Sequence, residues 1–383
     1  MRIIHTADWH LGRVFYGVQL TDDQAHALDG LVALAAQVRP DAIIIAGDVY
    51  DRAVPPPEAV ALLDETLWRL VETGAAVVVI AGNHDNAERL GFGARLLARS
   101  NLHVVGPIGA EPVSVAVGSG PGAGRIWAMP YADPAIVRSV LEDDTLRGHD
   151  EATAARADRI RAVMSRDEVN MLVGHAFVTG GVTTEDSERP LTVGGSGEVG
   201  LRRFDGFDYV ALGHLHRPQQ VGSARVRYAG SLLKYSIAEA EHTKSVTVVE
   251  VDRPGAEPRV QEVSLPVRRD VRVVRGELRK LVDDAPLQNR QDYVHAELED
   301  VGPQFDALGE LRRVYPNAIG FRRLAAEVVA GPSGLRASEV AKQDPASLFA
   351  GFFEHVTGGQ PTSEQREVFT RIADARHTAA REG

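Results

Sequence analysis

No cysteine occurs among the 383 residues. Disulfides and thiolate-held metals are therefore excluded, and any metal site must be built from oxygen and imidazole donors. Long apolar runs are missing as well: the longest, AAVVVIAG at 75–82, is far short of the ~20 residues a membrane helix needs. The opening MRIIHTADWH reaches Asp8 before any apolar stretch can form, unlike a secretory leader. A soluble, cytoplasmic chain without a membrane segment is expected. Positive charge is also in deficit, with 42 Lys and Arg against 53 Asp and Glu and a formal net charge of −11. Taken alone, that speaks against a surface that grips phosphates. Divalent cations bound at a site would change its local charge, and a basic partner could supply the rest.

The chain does have enough apolar residues, 44% hydrophobic over its length, for a substantial core and more than one domain. Five short apolar runs read as buried strands: RIIHTAD (2–8), DAIIIAGD (41–48), AAVVVIAGNHD (75–85), VNMLVGH (169–175) and FDYVALGH (207–214). Helical patterns separate the first three, one from Thr21 to Val38 and one from Pro57 to Thr73, where Leu62, Leu63, Leu67 and Leu70 recur at helical spacing. Strand alternating with helix predicts an α/β layered domain. Shorter strands follow at 124–130, 224–231 and 244–252.

After Pro266 the pattern becomes strand-helix-strand-helix-strand, enough for a small separate domain. The last forty residues change again. Asp344-Pro345 reads as a helix start and Thr362 with Gln365 as a capping box. Leu348, Phe349, Phe352, Phe353 and Val356 lie on the helix between them and need a surface to cover them.

The chemistry sits where the five strands end. Asp8, Asp48, Asn83, His175 and His214 each follow an apolar run, and four of the five come directly after a glycine. Carboxyl ends of strands in an α/β sheet are where ligands bind, and glycine lets the backbone turn and approach closely there. Asp8 is paired with His10, and His214 with His216, at a spacing of two, which places both members on one side of an extended chain. A lone histidine on a strand is usually a hydrogen-bonded core residue, and an aspartate after one is often a helix cap. Seven such residues at five strand ends call for a common cause. If Asp48 bridges two ions, each ion receives four protein ligands, leaving positions for hydroxide and phosphate oxygens. Two ions so held form the clamp used for in-line displacement at phosphorus. Carboxylate, amide and imidazole donors favour two manganese ions, with iron or zinc also possible.

His84 follows Asn83 and points the other way along an extended segment, so it is expected to face the substrate, stabilise the transition state and protonate the leaving oxygen. Asp51 is the expected carboxylate holding the His84 ring in its tautomer, with Arg52 as its alternative partner. Asp85 reads as a loop-structuring residue. Arg13, Arg52 and Arg89 follow three of the ligand-bearing loops and are candidates for phosphate contacts.

The ordered series DxH, GDxxD, GNHD, GH, GHxH resembles the calcineurin-like metallophosphoesterase superfamily, and within it the SbcD family of nuclease subunits. That closer likeness rests on HTADWHLGR (5–13), GDVYDRAVPPPEAV (47–60), AGNHDNAERLGFGARLL (81–97), SERPLTVGG (187–195), ALGHLHRPQ (211–219) and YAGSLLKYS (228–236). It implies a layered α/β fold, a β-sandwich flanked by helices, over residues 1–266. A small α/β capping domain at 267–335 would shape DNA access, and a helical tail at 336–383 would dock a partner.

The family's first metal site falls on Asp8, His10, Asp48 and His216, its second on Asp48, Asn83, His175 and His214, and its catalytic histidine on His84. The implied activity is a manganese-dependent double-strand exonuclease and single-strand or hairpin endonuclease, acting on DNA ends in repair, recombination and replication. The implied partners are DNA and the SbcC ATPase, in a heterotetramer around a homodimer, for which the helices near 57–72 and 86–100 are candidate contacts. Two other readings stay open: a stand-alone phosphatase or cyclic-nucleotide phosphodiesterase with the same metals, and a non-catalytic scaffold, which should have lost ligands that this chain retains.

Overall fold

Runs such as Ile43–Ile45 and Val77–Val79 form strands because β-branched side chains pack well on a pleated surface, and their unbroken burial requires layers on both faces. The computed structural model of the chain describes residues 1–118, 122–185, 187, 197–300, 304–324 and 345–379. Residues 188–195 of the SERPLTVGG stretch, 325–335 of the expected capping domain and 336–344 of the expected tail, including Asp344, lie outside the described residues.

The chain divides into two compact units, Met1–Asp270 and Val271–Gly383. The first is built on two six-stranded sheets. One runs in the order Arg259–Val263, Val246–Glu250, Arg2–Thr6, Ala42–Ala46, Ala76–Ile80, Leu102–Val105, and the last four of these are parallel. The other runs Gln219–Val221, Ser223–Tyr228, Tyr209–Gly213, Val169–His175, Gly124–Met129, Val113–Val117, with four parallel strands inside an antiparallel strand at each edge.

The sheets pack face to face. Ile3, Ile44, Val78 and Ile80 of the first share one core with Ile126, Met171, Val173 and Ala211 of the second. Alternate residues of the second sheet, Trp127, Leu172, Val210 and Leu212, face away into a separate cluster with Ile160, Phe204 and Phe207. This two-sided burial explains why the strands read as continuous apolar runs. Helices Thr21–Val38 and Pro57–Glu72 pack against each other. The second buries Ala59, Leu63, Thr66 and Leu70. Leu62 and Leu67, expected on the same face, are only half-buried because the covered stripe is narrower.

The five chemistry-bearing strands stand where expected, together with those at 124–129, 223–228 and 246–250. Outer strands at 102–105, 113–117, 219–221 and 259–263 were not anticipated. In the second unit, Val271–Gly276, Tyr293–Leu298 and Ala318–Arg323 form a parallel three-stranded sheet, with helices Leu278–Asp283 and Ala307–Val314 in its connections. Val294, Ala296, Leu298, Leu311 and Tyr315 fill its core. Two further helices, Pro345–Thr357 and Ser363–Ala379, meet through Phe349 stacked on Phe369 at 4.2 Å. The capping box is formed: Thr362 N donates to Gln365 Oε1 at 2.9 Å and Gln365 N to Thr362 Oγ1 at 3.3 Å. Phe352 is left exposed. Among the described residues no helix is long and apolar enough to cross a membrane.

At the carboxyl ends of their parallel strands the two sheets approach closely. A Cβ on Gly213 would stand 1.9 Å from the Ala46 carbonyl oxygen across the interface. Gly213→Ala must therefore push one backbone off the other, and we expect it to destabilise the fold by about 1–3 kcal/mol in urea unfolding. His5 ties the same two sheets. Its Nε2–H donates to the Leu212 carbonyl at 3.1 Å, while the Tyr209 hydroxyl, 3.0 Å away, donates to Nδ1. Burial pushes its pKa down from 6.5 to about 3. Between those values the unfolded chain binds a proton that the folded chain refuses, so stability is whole above pH 6.5 and falls as the pH drops. His5→Gln should remove about 1.4 kcal/mol per pH unit from the acid-side slope of unfolding free energy between pH 6 and 4.

Candidate metal centre

Both sheets end at one edge of the sandwich, and their terminal loops converge there. Asp8 and His10 follow strand Arg2–Thr6, Asp48 follows Ala42–Ala46 and Asn83 follows Ala76–Ile80. From the other sheet, His175 ends its strand, and His214 and His216 follow Tyr209–Gly213. Neighbouring loops extend the pairing past the sheet: Asp8 N donates to Gly47 O and His10 N to Asp48 O, both at 3.0 Å. Four of the seven residues hold left-handed backbone, Asp8 (φ 51°), His10 (44°), Asp48 (49°) and His214 (110°). Such a conformation costs of order 1–3 kcal/mol at a non-glycine residue and persists where the surroundings enforce it, typically at functional sites.

All seven expected ligands are brought together. Donor atoms of Asp8, His10 and His216 lie within 4.8 Å of one another, as do those of Asp8, Asp48 and His175. Asn83 Oδ1 is 2.9 Å from His175 Nε2 and 3.2 Å from His214 Nδ1. Both Asp8 carboxylate oxygens accept from His214 N, at 3.0 and 3.1 Å. Burial lowers the pKa of His10 to about 4 and depresses those of His175, His214 and His216. The imidazoles are therefore neutral, the form that binds metal.

The proton positions show that this cluster fits cations. His175 Nδ1 lies 2.9 Å from the Ala46 carbonyl, which can only accept, so Nδ1 carries the hydrogen and Nε2 presents a lone pair to Asn83 Oδ1 and, at 3.5 Å, to Asp48 Oδ2. His216 Nδ1 faces Glu239 Oε1 at 3.1 Å and Ser187 Oγ at 2.9 Å, which turns its Nε2 lone pair toward His10 Nε2 at 3.1 Å. His10 Nδ1 in turn faces the Asp51 carboxylate at 3.6 Å. His175 Nε2 thus confronts an amide oxygen and a carboxylate oxygen inside a buried cluster, an arrangement that repels unless a cation lies between them. Two divalent ions would be held by Asp8, His10, Asp48 and His216, and by Asp48, Asn83, His175 and His214.

His84 stands at the mouth of the cluster. Its side chain is 15% exposed, against 2% for His10 and 0% for His175. It does not point away from the ligands as its position in the sequence implied: its ring meets that of His10 at 4.8 Å, and Nε2 is 4.0 Å from Asp48 Oδ2. The expected role of Asp51 needs correcting. His84 Nδ1 donates at 2.8 Å to the Asp51 main-chain carbonyl. The Asp51 carboxylate instead accepts from Arg13 Nη1 at 2.8 Å and faces His10, because the turn after Asp48 directs its side chain inward. Arg52, its alternative partner, is exposed, as is Arg89. Asp85 acts on the loops as expected, accepting from the N–H groups of Val49, Tyr50 and Gly82. Burial and the Asp48 charge push its pKa up to about 7.

Three contributors escaped the sequence reading: Ser187, Glu239 and Lys244. Glu239 is fully buried, yet in the sequence it resembles Glu241, exposed two residues later.

The calcineurin-like phosphoesterase family matches residues 1–218. A second family, SbcD_C, described as the type 5 capsule protein repressor C-terminal domain, matches residues 267–357. Among solved structures, TT1561 of Thermus thermophilus shares 13% identity over 68% of this chain and 98% of its own, at a TM-score of 0.39. The Thermus thermophilus sulfate thiohydrolase SoxB shares 14% over 70% of this chain and 58% of its own, at 0.37. YfcE, a phosphoesterase from E. coli, shares 14% over 70% of this chain and 100% of its own, at 0.27. The two family matches decide the assignment: the chain belongs to the calcineurin-like phosphoesterase family, as a member of the SbcD type.

Proposed function

We propose that the chain is the DNA nuclease subunit of an SbcCD-type complex. It would be a manganese-dependent double-strand exonuclease and single-strand or hairpin endonuclease working in DNA end processing and repair. The observation that carries this reading is the SbcD_C match at 267–357 beside seven converging side chains of metal-binding type. A stand-alone phosphatase has no use for that second region, and a scaffold has no reason to retain every ligand. Bound divalent ions would supply Lewis acidity at the phosphodiester and a water acidic enough to attack near neutral pH.

The chain's own residues do the remainder. The Asp51 carbonyl fixes the proton on His84 Nδ1, so Nε2 is the atom that passes a proton to the leaving oxygen, and the same carbonyl supports the ring while it is doubly protonated. Asp48 accepts from His84 N at 2.8 Å, which locks the histidine's loop to a ligand. Arg52 and Arg89, both exposed, are assigned to DNA phosphates, with Arg13 contributing from its pair with Asp51.

In the same proposal, residues 267–335 form the capping domain that controls DNA access, and 336–383, with Phe352 exposed, dock the SbcC ATPase. A homodimer would form through the helices near 57–72 and 86–100, where Trp68, Phe92 and Leu96 stand exposed.

Purified protein with manganese should degrade linear duplex DNA and open hairpins, and SbcC should change that activity. Hydrolysis of a small chromogenic phosphate ester with no action on DNA would instead identify a phosphatase. His84→Ala should keep both ions while the cleavage rate falls about 10²–10⁴-fold. Asp48→Ala should lose bound metal together with activity, as read by metal content of the dialysed protein.

A further inference from the structure

His216 is gripped from two sides, through its ring and through its main chain. Glu239 Oε1 faces its Nδ1 at 3.1 Å, and Ser187 Oγ, 2.9 Å from the same nitrogen, donates to that carboxylate oxygen at 2.6 Å. Lys244 Nζ donates to the His216 main-chain carbonyl at 2.7 Å and to Ser231 Oγ at 2.8 Å, and pairs with Glu239 Oε2 at 2.5 Å. Side chain and backbone of one residue are therefore held by the two ends of a single ion pair.

That pair is buried, with Glu239 side-chain exposure at 0% and Lys244 at 6%. Burying two charges costs several kcal/mol each in desolvation, and an apolar pair of similar volume is often as stable or more so. Stability alone does not account for it. The common result of all these contacts is that the His216 ring is fixed in one orientation, with hydrogen on Nδ1 and the Nε2 lone pair aimed at the cluster.

We infer that Glu239, braced by Lys244, is a positioning residue that prepares His216 Nε2 as a ligand for the ion shared with Asp8, His10 and Asp48. Carboxylates bonded to the far nitrogen of a ligating histidine fix its tautomer and make it a better donor, and losing one typically weakens metal binding 10–100-fold. The inference rests on the dinuclear reading of the cluster. It adds that the two sites are supported unequally: His175, in the second site, is oriented by a neutral carbonyl, that of Ala46, whereas His216 has a charged partner. The site containing His216 should therefore respond selectively to changes at 239.

The test is manganese binding to the full-length chain and its variants by titration calorimetry, with electron paramagnetic resonance to distinguish paired from isolated ions. Wild type should bind two ions. Glu239→Ala should bind one with unchanged affinity and the other about 10–100-fold more weakly, and the paired-ion signal should give way to an isolated-ion signal. Glu239→Gln keeps the volume and an acceptor for Nδ1–H but lacks the charge, so it should fall between the two. It decides the question if the alanine variant does not fold. Wild-type affinity at both sites in the glutamine variant, and in the alanine variant where that folds, overturns the inference. So does a loss that is equal at both sites and accompanied by a lower melting temperature of the metal-free variants, which would mark a purely structural role. Fewer than two ions on the wild-type chain would bring down the dinuclear reading itself, a distinguishable failure.

Discussion

Everything at the working end of this molecule follows from one electrostatic constraint: lone pairs are forced to face one another away from water. His175 Nε2 stands 2.9 Å from Asn83 Oδ1 and 3.5 Å from Asp48 Oδ2, contacts between acceptors. They arise because the far nitrogen of the ring is already committed to the Ala46 carbonyl. The fold supplies the force that keeps them together, through a sandwich closed by Ile, Val and Ala from both sheets. The left-handed backbone at Asp8, His10, Asp48 and His214 is the local cost of that closure.

The same constraint explains how charge is distributed around the cluster. The histidines are uncharged because burial disfavours the cation, so they do not neutralise the neighbouring carboxylates. Arg13 compensates Asp51 and Lys244 compensates Glu239, both behind the ligands. The acidic composition that seemed to argue against phosphate chemistry thus includes the carboxylates from which a cation site is assembled.

The clustering of these side chains was legible in the sequence because parallel strands impose a simple grammar: an apolar run, a turn, then a polar residue, all at one edge. Asp48, His175 and His214 could be found in this way without knowing which strands pair. The outer strands at 102–105, 113–117 and 259–263 could not, since they lack the unbroken burial of the inner strands and polar residues interrupt their apolar runs. Asp51 was placed near its true neighbours but assigned the wrong atom. Spacing locates a residue; it does not tell whether the side chain or the main chain makes the bond. Glu239 and Lys244 lay beyond reach for another reason, since only burial distinguishes them from the solvated charges around them.

A chain without cysteine has no covalent means of tying its layers together. Here four of the seven clustered side chains hang from one sheet and three from the other. Ions bound between them would act as a reversible cross-link, fastening the sandwich at the end where its loops are most strained. A chelator would then do to this protein what a reductant does to a secreted one, loosening the seam between its halves while leaving each sheet intact.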